Sequence, residues 1–409
     1  MGKLKYYFIL VILIVAAVAF KVQSVEEQPE IEIEEIAPEI QEPDYSLEIK
    51  DVLTEFDSLL SAEIKESGTI GGAVVITYKN QIALLKCYGV QKAGEQDSIN
   101  EHTIFRLASV SKTITGVLAG ILSDENIISL DDKIIDCVPG FQLKDNISTN
   151  TLTVRNVLSH TTGLIPHAYD NLIEEHVPFQ TIMTRLKDVD ISAHPGEMYG
   201  YQNVMFSLYD TVCVTKTTKK FGETLSEKVF IPFNMNDASI GFENFEKNQN
   251  KAYPHYGSNG NFRTLKLNDR YYSTSPAAGV NASISDLGNF LLTLLEDDST
   301  KISRNAKEII FTPQVISPLS RNYFVHWKNV KSKQYAIGWR TVEYKNRNVA
   351  YHGGYVQGYR AEIALCFDEN VGIAFLSNSP NYLGSKVVPS FLDLFFEQKD
   401  VTKLQALKP

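Results

Sequence analysis

Strand-like text at both ends, with helical text between, is the feature that most constrains how this chain folds. Gly71-Gly72 opens AVVITYKNQIALLKCYGV, two β-rich runs around Lys79-Asn80 that read as a hairpin. After residue 334 come four more β-runs, YAIGWRTVEY, NVAYHGG, YRAEIALCF and VGIAFLSN, and then a closing helix from about 386 to 396. Between these ends the period changes to 3.6. TITGVLAGILSDENI is a largely apolar, buried helix, and ASISDLGNFLLTLLE (282–296) is amphipathic with Ser283 or Ser285 as its cap. A first helix covers 47–66, and shorter helical stretches fall near 151–159, 203–220 and 222–232. One α/β sheet built from both termini, with a helical region inserted in the middle, satisfies this order. No internal repeat is present.

Composition narrows the class. With 44% hydrophobic and 22% charged residues, the chain is globular rather than disordered, collagen-like or a coiled-coil rod. Its net charge is -10, and residues 1–43, with three Lys and eight Glu, carry half of it. No basic stripe exists to neutralise phosphates, so nucleic acid is excluded as a partner. Lys3 and Lys5 precede the uncharged apolar run Tyr6–Phe20, and Ala17-Val18-Ala19 has the form of a cleavage site. Residues 1–25 therefore read as a signal peptide or an N-terminal membrane anchor, the run being shorter than the ~20 residues that span a bilayer. Either way the body is expected to be exported, periplasmic or otherwise extracytoplasmic, with membrane contact only through this segment. Residues 26–44, in which Glu alternates with Ile and Pro recurs, form an acidic linker, and the folded domain is expected from about 45 to 400. The four cysteines (Cys87, Cys137, Cys213, Cys366) lie far apart in apolar surroundings and are expected as buried free thiols. No H-E-x-x-H motif supports a hydrolytic zinc site, and no cofactor is expected.

Three short motifs carry chemistry. In Ser109-Val110-Ser111-Lys112, the Ser and Lys share one helix face at i and i+3. A Ser hydroxyl becomes a useful nucleophile when a base removes its proton, and a desolvated Lys with a lowered pKa can be that base. This is the one S-x-x-K of the chain, placed where strand text turns into a buried helix. Tyr-x-Asn occurs four times; Tyr201-Gln202-Asn203 is distinguished by following the turn Pro195-Gly196-Glu197 and preceding a helical run. A phenol there can relay a proton, and an amide can hold a substrate carbonyl. His352-Gly353-Gly354 ends a β-run, where glycines mark close approach of a ligand or backbone. No G-x-S-x-G elbow is present.

Taken in order, these motifs resemble the serine β-lactamase and penicillin-binding D,D-peptidase superfamily, most closely its class C-like branch, which also holds esterases and D-amino-acid peptidases. FRLASVSKTITGVLAG (105–120), VLSHTTGL (157–164), PGEMYGYQN (195–203), SPAAGVNASISDLGNFLLTLL (275–295), YAIGW (335–339) and HGGYVQGYRAEIAL (352–365) carry the resemblance over about 50–395. It implies an antiparallel sheet flanked by helices, with a mainly helical subdomain within about 125–275. It also implies an acyl-enzyme on Ser109, proton transfer by Lys112 and Tyr201, and contact of Asn203 with the substrate amide. The oxyanion hole would be the N–H groups of Ser109 and Tyr355, with Gly353 and Gly354 lining it. His352 stands where β-lactamases and D,D-peptidases of the family have the Lys of K-T-G, which favours an esterase or peptidase over a β-lactamase or D,D-carboxypeptidase. Arg360 is expected near the rim as the replacement positive charge. The expected partner is a small-molecule or peptide substrate and the expected state is a monomer. From a different class, a non-catalytic sensor of cell-wall fragments or β-lactams would keep the same fold.

Overall fold

Lys79 and Asn80 both adopt positive φ (47° and 63°), the backbone twist that a two-residue hairpin turn requires. They join β1 (Gly71–Tyr78) to β2 (Gln81–Gly89), so the hairpin read from the sequence forms. The protein is seen here in a computed structural model that describes residues 43–258, 260–297, 300–318 and 324–406. The leader 1–25 and nearly all of the linker 26–44 lie outside the described residues.

The remaining strands of the main sheet come from the C-terminal part: β3 (Val315–Ile316), β4 (Val330–Tyr335), β5 (Arg340–Tyr344), β6 (Arg347–Val356), β7 (Tyr359–Cys366) and β8 (Val371–Ser377). Their order is β2-β1-β8-β7-β6-β5-β4-β3, and every pairing is antiparallel. The two ends of the chain meet where β1 pairs with β8, Gly72 opposite Ser377 and Tyr78 opposite Val371.

Alternation along each strand feeds two cores. Ala73 and Val75 of β1 and Ala374 and Leu376 of β8 face one of them; Val74, Ile76, Val371, Ile373 and Phe375 face the other. Both faces are covered, which is why these strands read as continuous apolar text rather than as alternating text. The helices that cover them are α1 (Lys50–Ser67), α2 (Ser111–Asp124), α3 (Ile284–Leu295), α4 (Arg304–Phe311) and α5 (Tyr382–Ala406). Helices α1 and α5 pack together on one face; α3 packs on β1 and β8 on the other, and α4 packs on α2. Helix α5 is longer than its text suggests: Leu383 begins its apolar stripe on the sheet, which runs through Pro389 to Phe395, and beyond it Lys399, Asp400 and Lys403 bond Tyr78, Arg347 and Glu369. Ser283 caps α3, its Oγ accepting from Asp286 N at 3.1 Å.

Several helical runs of the middle region are broken. Asn146–Thr151 and Val154–Leu158 replace one helix over 151–159, because Thr153 starts a fresh capping box with Asn156. Asn203–Phe206 and Tyr209–Thr217 replace 203–220, and Phe221–Leu225 passes into a wider turn at Ser226–Phe230. The run YAIGWRTVEY is likewise split, β4 ending at Tyr335 and β5 starting at Arg340. All four cysteines are free thiols, three of them buried and Cys87 partly so.

The break at 336–339 is a contact surface for α2. A Cβ on Gly338, whose φ is +73°, would stand 2.1 Å from the Lys112 carbonyl, and one on Gly116 would stand 2.2 Å from the Ile337 carbonyl. Gly338→Ala is therefore expected to destabilise the fold by about 3 kcal/mol, from overpacking and the left-handed backbone together. Thermal unfolding should show this as a melting temperature lower by several degrees.

Candidate active site

Ser109 lies in a tight turn, Ala108–Val110, between the short strand Phe105–Arg106 and α2. Ala108 holds φ at +48°, a costly conformation for a residue with a Cβ, and the surroundings pin it there. Leu107 N donates to the Val280 carbonyl at 3.0 Å, and Ser111 Oγ accepts from Val280 N at 3.0 Å. The nucleophile candidate is thus presented by a strained, over-determined turn at the start of a buried helix.

One helical turn on, Lys112 is completely buried. Its Nζ donates to Asn203 Oδ1 at 2.7 Å and to the Ala277 carbonyl at 3.1 Å, and reaches Ser109 Oγ at 3.5 Å. Burial holds its pKa well below the usual lysine range; the Asp170 carboxylate opposes that shift and the Arg340 cation adds to it. Tyr201 OH donates to the same Ser109 Oγ at 2.8 Å, and Lys112 Nζ sits 4.7 Å from the centre of its ring. The structure therefore brings together Ser109, Lys112, Tyr201 and Asn203, which span almost a hundred positions in sequence.

Tyr201 is held by His160, a buried residue to which the sequence reading assigned no role. Gln202 N donates to His160 Nδ1 at 3.2 Å, and the imidazole packs tilted against the Tyr201 ring, centres 4.3 Å apart. The block VLSHTTGL was the available signal for it. Asn203, expected at the substrate amide, has both ends of its own amide engaged: Oδ1 takes Lys112, and Nδ2 donates to Asp170 Oδ2 at 2.9 Å.

His352 is buried in β6. Its Nδ1 lies 2.9 Å from the Gly353 carbonyl, which requires a proton on Nδ1, so Nε2 accepts from Tyr335 OH at 3.1 Å. Burial, then Arg340 and Lys112, push its pKa well down, leaving a neutral imidazole. Gly354 is where β6 touches the serine turn: a Cβ there would stand 2.3 Å from the Leu107 carbonyl and 3.1 Å from the N atoms of Ser109 and Val110. At Gly353 a Cβ would meet the Glu362 carboxylate at 2.8 Å. Tyr355 follows and is exposed at the pocket mouth.

The pocket over Ser109 has a volume of about 500 Å³, with His167, Tyr199, Tyr201, Arg340 and Tyr355 among its walls. Arg360 also reaches it, but its charge is met by the fully buried Glu362, Nε to Oε1 at 2.5 Å. Arg340, unremarked in the sequence, brings its guanidinium to 5.6 Å from the Tyr201 ring and donates to Tyr199 OH at 3.1 Å. Among the described residues, no group of three or more His, Cys, Asp or Glu is placed to hold a metal ion.

Comparison with known proteins agrees with this fold. The Beta-lactamase family model matches residues 56–392. The chain is 23% identical over 322 residues to the unguisins hydrolase ungD' of Aspergillus campestris, covering 75% of this chain and 59% of that protein. It is 20% identical over 344 residues to Protein flp of Staphylococcus aureus, covering 83% of this chain and 64% of that one. The match thus spans less than two thirds of the length of either relative. A penicillin-binding protein homologue from Pyrococcus abyssi, described as octameric, superposes with a TM-score of 0.75 at 21% identity, over 84% of this chain and 77% of that one. With a family model running from α1 into α5 and the same fold in a penicillin-binding protein homologue, this chain belongs to the beta-lactamase family.

Proposed function

We propose that the protein is an exported serine hydrolase that cleaves an ester, amide or peptide bond through an acyl-enzyme on Ser109. One observation carries the reading: Ser109 Oγ is shared by the Tyr201 hydroxyl at 2.8 Å and the buried Lys112 amine at 3.5 Å. A serine flanked by a phenol and a desolvated amine has a route for its proton that an ordinary surface serine lacks.

In the proposed reaction Ser109 Oγ attacks the substrate carbonyl while its proton passes to the Lys112–Tyr201 pair. The phenol then returns a proton to the departing alkoxide or amine, and the pair activates water to release the acyl group. The N–H groups of Ser109 and Tyr355 receive the developing oxyanion. Support for this comes from Gly354, the residue before Tyr355, which sits against the serine turn beside the Ser109 nitrogen. Such a donor contributes about 3–4 kcal/mol to the transition state. Export is supported by the signal-like text of residues 1–25. A neutral His352 offers no charge to an anionic substituent, which favours esters and peptides over β-lactams. The second reading, a β-lactamase or D,D-carboxypeptidase, draws on Arg340, a cation in the pocket wall.

Intact-protein mass spectrometry separates these readings. With a short activated ester, turnover that disappears in Ser109→Ala is expected, with penicillin left unreacted. Loss of free penicillin would instead identify a β-lactamase, and a lasting Ser109 adduct with it would identify a penicillin-binding peptidase or sensor. No reaction with either compound would refute the hydrolase reading. A second prediction concerns the oxyanion hole. Gly354→Ala should push β6 off the serine turn and slow Ser109 acylation by roughly 100-fold or more, read as the rate of ester-derived adduct formation.

A further inference from the structure

Building on the hydrolase reading, we propose that Asp170 is the counter-ion of Lys112, acting through the side-chain amide of Asn203 and held in place by His167. It is a positioning residue, outside the reacting atoms.

A buried ammonium group needs a compensating charge close by. Each of the acceptors around Lys112 Nζ, namely Ser109 Oγ, Asn203 Oδ1 and the Ala277 carbonyl, is neutral. The carboxylate whose field reaches it is Asp170. Among the described residues facing this centre, Arg340 repels a proton on Lys112, the Tyr201 phenol lies with its ring 4.7 Å from Nζ, and burial keeps His160 and His352 neutral. Asn203 connects the two charges, Nζ to Oδ1 at 2.7 Å and Nδ2 to Asp170 Oδ2 at 2.9 Å. Flipping the amide would set its NH₂ against the lysine and its carbonyl against the carboxylate, so the two charges fix its orientation.

Asp170 is built into place. His167 and Tyr169 both adopt left-handed φ, +60° and +64°, two strained residues without glycine in a single turn. His167 N donates to the Tyr201 carbonyl at 2.8 Å, tying the turn to the catalytic segment, and Asp170 N donates to the His167 carbonyl at 3.2 Å. The His167 ring then bonds Asp170 Oδ2 at 2.8 Å. The second carboxylate oxygen, Oδ1, is buried without a hydrogen-bond partner. The carboxylate is thus linked to Lys112 through the Asn203 amide, from which its Oδ2 accepts.

The consequence is a lysine balanced between two states. Burial and Arg340 drive its proton off, and Asp170 draws one back. A base that must take a proton in one half-reaction and return it in the next needs that balance. Removing the carboxylate removes the pull, so Lys112 should lose its proton at lower pH.

The test is Asp170→Asn. In the Ser109→Ala background, the ¹³Cε resonance of Lys112 should titrate about one pH unit lower when Asp170→Asn is added. In the active enzyme, the acid limb of kcat/KM for an activated ester should move down by a similar amount, with kcat reduced about tenfold. Asp170→Glu should restore part of both shifts. If Asp170→Asn does not fold, His167→Ala, which keeps the carboxylate and loosens its hold, should shift Lys112 the same way by less. A Lys112 titration unmoved or raised in these variants would overturn the proposal. Because the titration is read without turnover, it decides the role of Asp170 even if no ester is hydrolysed, a result that would count against the hydrolase reading alone.

Discussion

The ladder between β1 and β8 is the contact on which the rest of the architecture depends. It joins residues 72–78 to residues 371–377, so most of the chain lies in the loop it closes. Closing such a loop costs entropy that its own backbone bonds do not recover. The compensation is apolar burial on both faces, by α3 on one side and by α1 and α5 on the other. Once the ladder forms, β7 and β6 follow by short turns, and β6 delivers His352 through Tyr355 to the serine turn at the head of α2. The candidate site is therefore a product of sheet closure, with the candidate nucleophile from one end of the sequence and the strand beside it from the other.

Within that frame, dielectric and charge set the protonation states. Lys112, His160 and His352 are all fully buried, and all three are driven toward their neutral forms. Arg340 keeps its charge in the pocket wall and adds to that drive on each of them. The outcome is a desolvated amine beside two neutral imidazoles used as packing and hydrogen-bonding groups. His352, read from the sequence as a departure from the family's lysine, is a neutral acceptor for Tyr335. Arg360, expected to bring positive charge, spends it on Glu362. Position in a motif indicated where these groups lie, and burial decided what charge each carries.

Legibility followed the range of the physics. The hairpin, the buried helix after Ser109 and the cap at Ser283 rest on neighbours a few residues apart, and each formed as its text indicated. Ser109 and Lys112 could be paired because i and i+3 share a helix face. Choosing Tyr201 among four Tyr-x-Asn triplets needed only the turn before it and the helix after it. The misreadings sit where a long-range contact overrides local period. The 151–159 helix breaks at a new cap, and the YAIGW run breaks where Gly338 must clear α2. Asp170, His160 and Arg340 were not legible as site residues. The site residues they act on, Lys112, Tyr201 and Asn203, lie tens to hundreds of positions away, and irregular turns such as 165–170 have no period to read.

By itself, then, the sequence determined the kinds of element, their order, the serine and its lysine, and the resemblance that names the family. All of these are local properties, written in spacing and residue type. Tertiary structure alone decided which carboxylate faces the buried amine and that His352 is neutral. It also decided that Arg340 stands in the pocket wall and that Arg360 pairs with Glu362. Those outcomes depend on distance through space and on exclusion of water, and neither quantity exists until the sheet has closed and the core around Lys112 has formed.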